Sequence, residues 1–379
     1  MQKVSLIKQE NYNLDELIVN IRQSLNNIVN MDEIFTEGKT VMLKVNAVSN
    51  MNYNHGYTTN PMFLKALIRV LKDYPVKIIV GDNHPFNSIK STLKGNGTFK
   101  VIEEENVTLA DNHELKEISS KNYLQYKSFN VSKTFVEADI MINLPKLKTH
   151  SFTYFSCAQK NLFGLIYGLE KANWHVIANN PKDFGTMIND LYCITKEQFK
   201  ENHLIHLCDS IECLQGDGPT TGGNKTKMNA IFASTSGVAL DIVGLKMAGL
   251  DLEKSFITTI ALKNNIELSN KDDIEVIGNY FEQYSLEEPE KPLGAIKLLN
   301  NQFMKNLLLE HPIVDKDKCL KCGACAKICP KHTMKIKQGE YPKLKTNQCI
   351  RCWCCSEVCP VSAISKSKRP LLGKIIIKE

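Results

Sequence analysis

Nine of the 13 cysteines in this 379-residue chain fall between Cys319 and Cys359. Eight of these nine form two runs of identical spacing, Cys-x2-Cys-x2-Cys-x3-Cys-Pro, which begin at Cys319 and Cys349. Each cysteine of the first run has a counterpart 30 positions later, so the segment is an internal duplication. Thiols that cluster in this way indicate metal binding more than disulfide formation.

Each run has the cysteine spacing of bacterial ferredoxins, and the duplicated segment resembles a module that holds two [4Fe–4S] clusters. In that family, three cysteines of one run approach a single cluster, while the fourth begins the next helix and reaches the other cluster. The resemblance implies two ligand sets, namely Cys319, Cys322, Cys325 and Cys359 for one cluster and Cys349, Cys352, Cys355 and Cys329 for the second. Pro330 and Pro360 would turn the chain after the remote ligand.

Structural zinc is the main alternative, because two Cys-x2-Cys pairs can supply four thiolates to one ion. One zinc ion needs only four ligands, whereas the duplicated pattern supplies eight, and this difference favours clusters. Cys354 adds a ninth thiol inside the second run. It is either a bystander or an alternative ligand, and the second role would free Cys352 or Cys355.

The charge of the cysteine-rich end is strongly positive. Residues 311–379 contain 15 Lys and Arg against 5 Asp and Glu, a net charge of +10, although the whole chain carries only +6. Oxidised clusters with four thiolates carry about −2 each, so the basic residues partly offset bound anions. A nucleic-acid module is therefore the weaker interpretation, and we expect Arg351 and Trp353 to shield a cluster.

The remaining composition is that of an ordinary globular protein, with 43% hydrophobic and 23% charged residues. No apolar run reaches the roughly 18–20 residues that span a bilayer, and the first 20 residues lack the apolar stretch of a signal peptide. The sequence therefore predicts a cytoplasmic location and no membrane span.

Residues 1–279 alternate between strand and helix patterns and predict an α/β domain with an open, mostly parallel sheet and helices on its faces. Thr59 or Asn60 can cap a helix whose first turn contains Pro61. The predicted strands are Thr40–Val45, Val76–Val80, Asp139–Leu144, His203–Leu207, Asn229–Ala233 and Asp273–Ile277. The other predicted helices are Asn161–Tyr167, Phe184–Thr195, Val238–Met247 and Ser255–Asn264.

Two further segments complete the predicted organisation. Residues 280–310 form a linker whose amphipathic stretch, Ile296–Leu309, connects the two units and docks one on the other. A plain surface helix is the alternative for this stretch. Residues 311–379 predict a small α+β ferredoxin-like iron–sulfur domain.

Polar residues follow several predicted strands. In open parallel sheets, the carboxyl ends of the strands form the edge where ligands bind. The polar residues at these positions are Lys44, Asp82, Lys146, Lys148, His150 and Asp209, while Lys160 and Asn161 open a predicted helix and Asp217 lies in a glycine-rich loop. Together they predict a pocket in which cationic lysines face acidic aspartates.

A glycine-rich loop over residues 216–223 suggests a phosphate-binding loop, because glycines let backbone amides approach a ligand closely. Lys225, however, lies one position too late for a P-loop. Met228–Ala233 then reads as a strand where a P-loop needs a helix. We therefore predict no P-loop nucleotide site.

Taken together, the segments VMLKVN, TTNP, VGDNHP, INLPKLKTH, KNLFGLIYG, GDGPTTGG and GVALDIVGLKMAG resemble the domain of unknown function 362 family. The resemblance covers residues 40–265, and members of the family often carry a ferredoxin-like tail. It implies that the polar residues above form one site, which Asp241 joins. It names no substrate.

The sequence favours an iron–sulfur oxidoreductase in which two [4Fe–4S] clusters relay electrons to an anionic small molecule on the α/β domain. We expect His150, Lys146 and Lys148 to be catalytic, with His150 as a proton donor. The expected substrate-binding residues are Lys44, Asp82, Lys160, Asn161, Asp209, Asp217 and Asp241, and the aspartates could recruit Mg²⁺. Ferredoxin, flavodoxin or a reductase is the expected redox partner.

Two other functions remain open at this point. The first is a non-catalytic ferredoxin-like electron carrier or adaptor that docks a partner enzyme. The second, suggested by the basic tail, is a nucleic-acid binder that senses its cluster.

Overall fold

The computed structural model of the chain describes residues 1–48, 50–85, 88–220, 222–278, 280, 282–289 and 302–376. The N-terminal strands are β1 (Gln2–Lys8), β2 (Thr40–Lys44), β3 (Lys77–Gly81), β4 (Thr108–Leu109), β5 (Leu115–Ser119), β6 (Ser128–Ser132), β7 (Ile140–Asn143), β8 (Lys146–His150), β9 (Tyr154–Ser156), β10 (Leu204–Gly216), β11 (Gly223–Ser234) and β12 (Ile274–Ile277). We call the part from β1 to β12 the α/β unit.

Ten of these strands form one sheet with the order β12-β1-β11-β10-β7-β2-β3-β4, and β8 pairs with β10 and β9 beside this path. The run from β10 to β4 is parallel throughout. Strand β11 is antiparallel to both of its neighbours, β1 and β10. The predicted open, mostly parallel sheet is therefore confirmed.

Helices cover both faces of the sheet, as predicted. Those of the α/β unit are α1 (Leu14–Asn26), α2 (Met31–Ile34), α3 (Pro61–Leu71), α4 (Ile89–Gly95), α5 (Thr98–Glu104), α6 (Lys133–Val136), α7 (Ala158–Asn161), α8 (Glu170–Ile177), α9 (Pro181–Lys196), α10 (Gly237–Met247) and α11 (Phe256–Lys263). Neighbouring residues of β2 point into opposite hydrophobic layers, since Val41 and Leu43 join one core and Met42 joins the other. Strands buried on both sides in this way need continuous apolar runs.

Local chemistry explains the start of α3. Asn60 adopts an extended conformation, and its side-chain oxygen accepts a hydrogen bond of 2.8 Å from the backbone amide of Met62. Pro61 occupies the first turn, where the missing N–H costs nothing. The predicted cap is therefore confirmed at Asn60.

Some elements differ from the predicted ones. Strands β10 and β11 are longer than predicted, because they pair as a hairpin from His206 and Ser234 to Gly216 and Gly223. The predicted helix Asn161–Tyr167 is instead the end of α7 followed by a 3-10 turn at Leu162–Leu165. Helix α8 was not predicted. The segment Met228–Ala233 lies in β11, so a strand does follow the glycine loop.

The C-terminal part, which we call the cysteine-rich unit, runs from β13 to α15. Its elements are β13 (Pro312–Val314), α13 (Ala324–Ile328), β14 (Met334–Lys335), β15 (Lys343–Leu344), α14 (Cys354–Glu357), β16 (Ile364–Lys366) and α15 (Leu371–Ile376). Strand β13 pairs with β16, and β14 pairs with β15, both antiparallel. This small strand-and-helix fold agrees with the predicted ferredoxin-like domain.

Helix α12 (Gln302–Leu308) precedes the cysteine-rich unit and covers part of the predicted amphipathic stretch. Residues 296–301 of that stretch lie outside the described residues. Within the described ranges, no helix combines the length and the hydropathy that crossing a bilayer requires.

Candidate functional site

The two cysteine runs surround two separate cavities. One cavity is lined by the sulfur-bearing residues Cys319, Cys322, Cys325 and Cys359. The other is lined by Cys329, Cys349, Cys352 and Cys355, together with Cys354. In each case, three cysteines come from one run and the remote cysteine comes from the other run, which is the arrangement that the ferredoxin resemblance implies.

Left-handed backbone conformations curl both runs around their cavities. Lys321 and Gly323 have φ angles of 55° and 79°, and their counterparts Arg351 and Trp353 have φ angles of 61° and 62°. The positions are 30 residues apart in both cases, so the duplication extends to the backbone. Backbone amides point at the remote sulfurs as well, since Thr333 and Ala363 donate at 3.2 Å to Cys329 and Cys359, respectively.

The cavities fit iron–sulfur clusters better than single metal ions. Across the described residues, no three His, Cys, Asp or Glu side chains converge closely enough to bind one ion. Thiols that surround a cavity can each bind a different iron of one cluster, whereas a zinc site needs four thiolates on one ion. The donor set therefore fits the cluster interpretation.

A third, polar cavity of about 120 Å³ lies where the cysteine-rich unit meets the α/β unit. The α/β unit supplies one wall from the carboxyl ends of β2 and β3, from β8 and β9, and from the segments around α7 and α8. The cysteine-rich unit supplies the opposite wall through Cys354, Glu357 and Val358. The polar residues contributed by the α/β unit are Lys44, Asn46, Asp82, Asn83, Lys148, Ser156, Lys160, Asn161, Lys171 and His175.

A buried ion pair stands at the base of the polar cavity. The ammonium of Lys44 lies 2.8 Å from Oδ1 of Asp82, and both side chains are almost fully buried. The other carboxylate oxygen accepts a hydrogen bond of 2.7 Å from the backbone amide of Ala47. Burial lowers the pKa of Lys44, although the neighbouring Asp82 acts in the opposite direction.

The absence of a side chain at Gly164 leaves room for the Lys44–Asp82 ion pair. A Cβ atom at this position would collide with the ammonium of Lys44 and with the carboxylate of Asp82. The glycine of the KNLFG segment is therefore required for close packing rather than for an unusual φ angle.

A chain of amide side chains holds Lys148 in place. The Lys148 ammonium donates to Oδ1 of Asn46 at 2.8 Å and to the backbone oxygen of Tyr57 at 2.9 Å. Asn46 donates to Oδ1 of Asn161 at 2.6 Å, and Asn161 donates to Oδ1 of Asn143 at 2.7 Å. Because Asn143 ends the buried strand β7, this network anchors the lysine to the sheet. Burial, reinforced by the nearby positive charge of Lys160, lowers the pKa of Lys148 well below its usual value.

Positive charge exceeds negative charge in the polar cavity. Among the described residues, its lining contains four lysines, at positions 44, 148, 160 and 171, but only two acidic residues, Asp82 and Glu357. Asp82 is already paired with Lys44. Burial lowers the pKa of Lys160, while Glu357 and Cys354 act in the opposite direction.

Lys146 and Asp209, two predicted site residues, form an internal ion pair away from the polar cavity. Their charged atoms are 2.9 Å apart, and both side chains are almost fully buried. Tyr12 donates to Asp209 and accepts from Lys146, each at 2.9 Å, while the backbone amide of Asn60 donates to the second oxygen of Asp209. The structure thus gives this pair a role in joining β8, β10 and the start of α3.

Asp241 also lies outside the lining of the polar cavity. Its carboxylate accepts hydrogen bonds from the backbone amides of Ala158 at 2.6 Å and Gln159 at 3.2 Å, so it holds the start of α7. Burial raises the pKa of Asp241 to about 7. This residue positions the segment that carries Lys160 and Asn161 rather than facing a ligand itself.

His150 lies at a neighbouring groove of about 500 Å³, which Asp217, Trp353, Glu357 and Lys366 also line. Its Nδ1 accepts a hydrogen bond of 3.0 Å from the amide of Phe152, so a neutral ring carries its proton on Nε2. Burial, reinforced by Lys160 and Lys148, lowers the pKa of His150 well below its usual value. The sequence predicts that His150 donates a proton with a pKa near neutrality. In the structure, its ring is instead a neutral imidazole at pH 7.

The structure brings five of the predicted residues to the polar cavity, namely Lys44, Asp82, Lys148, Lys160 and Asn161. It places His150 and Asp217 at the groove, and Asp217 forms an ion pair of 2.7 Å with Lys366. Lys171, His175, Asn46 and Glu357 line the polar cavity but were not among the predicted site residues. The available signal was the spacing of Lys171 and His175, which are four positions apart and therefore share a helix face.

Family comparisons agree with both units. The family model described as "Domain of unknown function (DUF362)" matches residues 41–246. The model described as "4Fe-4S dicluster domain" matches residues 311–360, which contain all eight repeated cysteines. The predicted resemblance is confirmed in both parts, and the second match supports iron–sulfur clusters as the cofactor.

Individual proteins give more distant similarities. The chain is 25% identical over 270 residues to the thylakoid-associated protein sll1697 of Synechocystis, which covers 71% of this chain and 81% of the relative. The apoprotein of lactate racemase from Thermoanaerobacterium thermosaccharolyticum is 16% identical, with a TM-score of 0.36. That match covers 60% of this chain, which spans only 54% of the racemase.

Proposed function

The chain belongs to the DUF362 family, and we propose that it is an iron–sulfur oxidoreductase that passes electrons to an anionic compound in the polar cavity. Two [4Fe–4S] clusters in the cysteine-lined cavities supply single electrons when they are bound. Residues of the α/β unit hold the compound.

One observation carries this proposal: the polar cavity and the second cysteine cavity share a wall. Cys354, at the start of α14, lines both cavities, and Glu357 and Val358 at the end of the same helix line the polar cavity. A compound that contacts this wall would lie next to the cluster held by Cys329, Cys349, Cys352 and Cys355. The short separation favours direct electron transfer, whose rate falls steeply with distance.

The charge of the cavity supports an anionic compound. Lysine ammonium groups attract negative charge, and they stabilise the further negative charge that develops when a compound accepts electrons. Because most of the polar side chains in the lining of the cavity are buried, these interactions are weakened by solvent less than they would be at the surface. The lysines suited to this role are Lys148, Lys160 and Lys171.

The expected Mg²⁺ does not fit the residues present. Asp82 is bonded to Lys44, Asp209 to Lys146, and Asp241 to the start of α7. Among the side chains that the structure describes, no acidic cluster suits a metal ion. We therefore derive no step through Mg²⁺.

The first cysteine cavity is suited to receive electrons from a redox partner protein. Cys322 is exposed, and Leu320 beside it keeps 65% of its surface accessible. A ferredoxin, a flavodoxin or a reductase could approach this loop. Electrons would then pass from the first cluster to the second, because each run also supplies one ligand to the other run's cavity.

The test uses the full chain, reconstituted with iron and sulfide without air and reduced chemically. The reduced protein is mixed with a panel of phosphorylated and carboxylated compounds, and reoxidation of the clusters is followed by absorbance and EPR. We expect at least one compound to accelerate reoxidation, and Lys148→Ala should abolish the acceleration. Lys121→Ala, a change at an exposed lysine of the same unit, is the matched control. Reoxidation that no compound accelerates would contradict the proposal.

The exposed Leu320 and Cys322 also favour a second candidate, a non-catalytic electron carrier or adaptor. In that function the α/β unit docks a partner enzyme and binds no compound. Equilibrium dialysis of the intact, cluster-loaded chain against the same panel separates the two candidates. Retention of an anion favours the oxidoreductase, and electron transfer to a partner protein without any retained anion favours the carrier.

A further inference from the structure

Lys160 is a half-buried cation that lacks a bonded partner. Its side chain lines the polar cavity, and among the described residues its ammonium makes neither a hydrogen bond nor an ion pair. Leaving a charged group partly withdrawn from water without a partner is costly. An occupant with negative charge would remove this cost.

Within the part of the chain that the structure describes, Lys148 and Lys171 are bonded only to neutral oxygen atoms. Lys148 donates to the side-chain oxygen of Asn46 and to the backbone of Tyr57, while Lys171 donates to the backbone oxygen of Asn83 at 2.5 Å. The described lining contains four lysines and two acidic residues, Asp82 and Glu357. Its formal charge is therefore +2 when all six side chains are ionised. A doubly charged anion would neutralise this excess.

His175 presents an unpaired nitrogen in the same place. The side chain is only 7% exposed, and its Nδ1 has no hydrogen-bond partner. Its ring is fixed by stacking on Phe184, with centroids 4.7 Å apart, and by an edge contact with Phe163. Burial lowers the pKa of His175 to about 3, so the ring is neutral and can donate one N–H without adding charge.

These groups line one cavity rather than two. Lys148 of β8, Lys160 of α7, and Lys171 and His175 of α8 all belong to the lining of the same space of about 120 Å³. Donors that converge from several sides suit one compact group with several oxygen atoms. A dicarboxylate would instead place its two charges at separate ends.

We propose that the polar cavity is the subsite for a single phosphoryl group, held by Lys148, Lys160, Lys171 and the Nδ1–H of His175. A phosphate monoester carries about −1.5 to −2 charges at pH 7 and offers three strong acceptor oxygens, which matches both the charge excess and the convergent donors. This inference rests on the proposed function and deepens it, because it names the anionic group that the accepted compound carries.

The test is calorimetric titration of the full, cluster-loaded chain without air, with inorganic phosphate and glycerol phosphate as probes. Malonate provides a dicarboxylate, and acetate provides a single carboxylate. We expect both phosphate probes to bind more tightly than malonate or acetate. The ratio of the two phosphate affinities shows whether the free ion or a phosphate ester is the better ligand.

Variants locate the binding. Losing a charge-assisted hydrogen bond should weaken phosphate binding about tenfold or more in Lys160→Ala. His175→Phe keeps the stacking surface on Phe184 and should weaken binding several-fold, whereas Lys121→Ala should bind like the parent protein. Circular dichroism and cluster absorbance establish that each variant is folded, and Lys160→Met replaces Lys160→Ala if the alanine variant is not.

The outcomes separate this inference from the function on which it rests. Tighter binding of malonate than of either phosphate probe would overturn the phosphoryl assignment and leave an anionic substrate in place. Phosphate binding that Lys160→Ala leaves unchanged would overturn the location. Failure to bind any anion would overturn the inference and the oxidoreductase proposal together. Phosphate binding without any compound that accelerates cluster reoxidation would contradict only the proposed function.

Discussion

Glu357 Oε1 lies 3.7 Å from Nε2 of His150, and this approach links the second cysteine run to strand β8 of the α/β unit. Glu357 also lines both the polar cavity and the neighbouring groove. Burial raises the pKa of Glu357, against the effect of Lys160 and Lys148, which favour its charged form. A residue two positions from cluster cysteines therefore forms part of the wall of the polar cavity.

The lining of the second cysteine cavity predicts how much iron and sulfide its cysteine variants retain. Cys355→Ser removes one of the four thiols that line it, and we expect the variant to retain about half of the bound iron and sulfide of the parent. Chemical analysis of anaerobically reconstituted protein, together with EPR of the reduced form, measures this loss. Cys354→Ser is the matched control, and we expect full iron content there. An equal loss in both variants would instead make Cys354 a ligand.

The Lys146–Asp209 pair makes a prediction about stability. Asp209→Asn leaves the Lys146 ammonium buried without a carboxylate, which should lower the free energy of unfolding by about 3–5 kcal/mol. Asp217→Asn removes the partner of Lys366 at a site where both side chains are about one-quarter exposed, and should cost about 0–1 kcal/mol. The denaturant midpoints of the two variants test the contrast. Similar midpoints would show that burial does not set the strength of these pairs.

The close packing at Gly164 predicts that an added methyl group lowers the stability of the protein. Gly164→Ala places a methyl group against the Lys44–Asp82 pair, and overpacking of this kind costs about 1–3 kcal/mol. We therefore expect a lower melting temperature and, because the pair forms the base of the polar cavity, weaker phosphate binding. If the alanine variant melts and binds like the parent protein, the pair has room to move and the packing argument is wrong.

The lowered pKa of Lys171 predicts that phosphate binding depends on pH. Burial, acting against the nearby Asp82, lowers the pKa of Lys171 to about 8, so its charge is present below that pH and is lost as the pH rises through it. Glycerol phosphate, a phosphate monoester, stays doubly charged above its second pKa of about 6, so a decline in its affinity between pH 7 and pH 9 would come from the protein. Arginine keeps its charge at these pH values, and Lys171→Arg should flatten the decline. Titrations at several pH values measure both, and an undiminished affinity at pH 9 would remove Lys171 from the site.

The repeat spacing revealed the duplication, and the resemblance to ferredoxins then implied two cysteine quartets, whose members line two separate cavities in the structure. The sites on the sheet required tertiary information. Lys146, Lys148 and His150 lie on one face of β8, because every second residue of a strand points the same way. Each step of two residues nevertheless advances about 6.6 Å along the strand. The three side chains therefore reach an internal ion pair, the polar cavity and the groove, rather than one pocket.

Lys171 and His175 show what sequence reasoning misses. Helix α8 has only eight residues, so its periodic pattern is weak, and only the folded chain shows that it borders the polar cavity. Asp241 illustrates the opposite error. It belongs to a recognisable segment of the family, but its carboxylate is occupied by the backbone of α7.

Cys354, Glu357 and Val358 close the polar cavity only while the cysteine-rich unit keeps its shape. That shape should depend on the metal, since eight thiols face two small cavities in the interior of the unit. Loss of the clusters to oxygen would therefore open the polar cavity on the side of the cysteine-rich unit and release a bound compound. We expect protein purified in air to have lost the ligand that would identify the reaction.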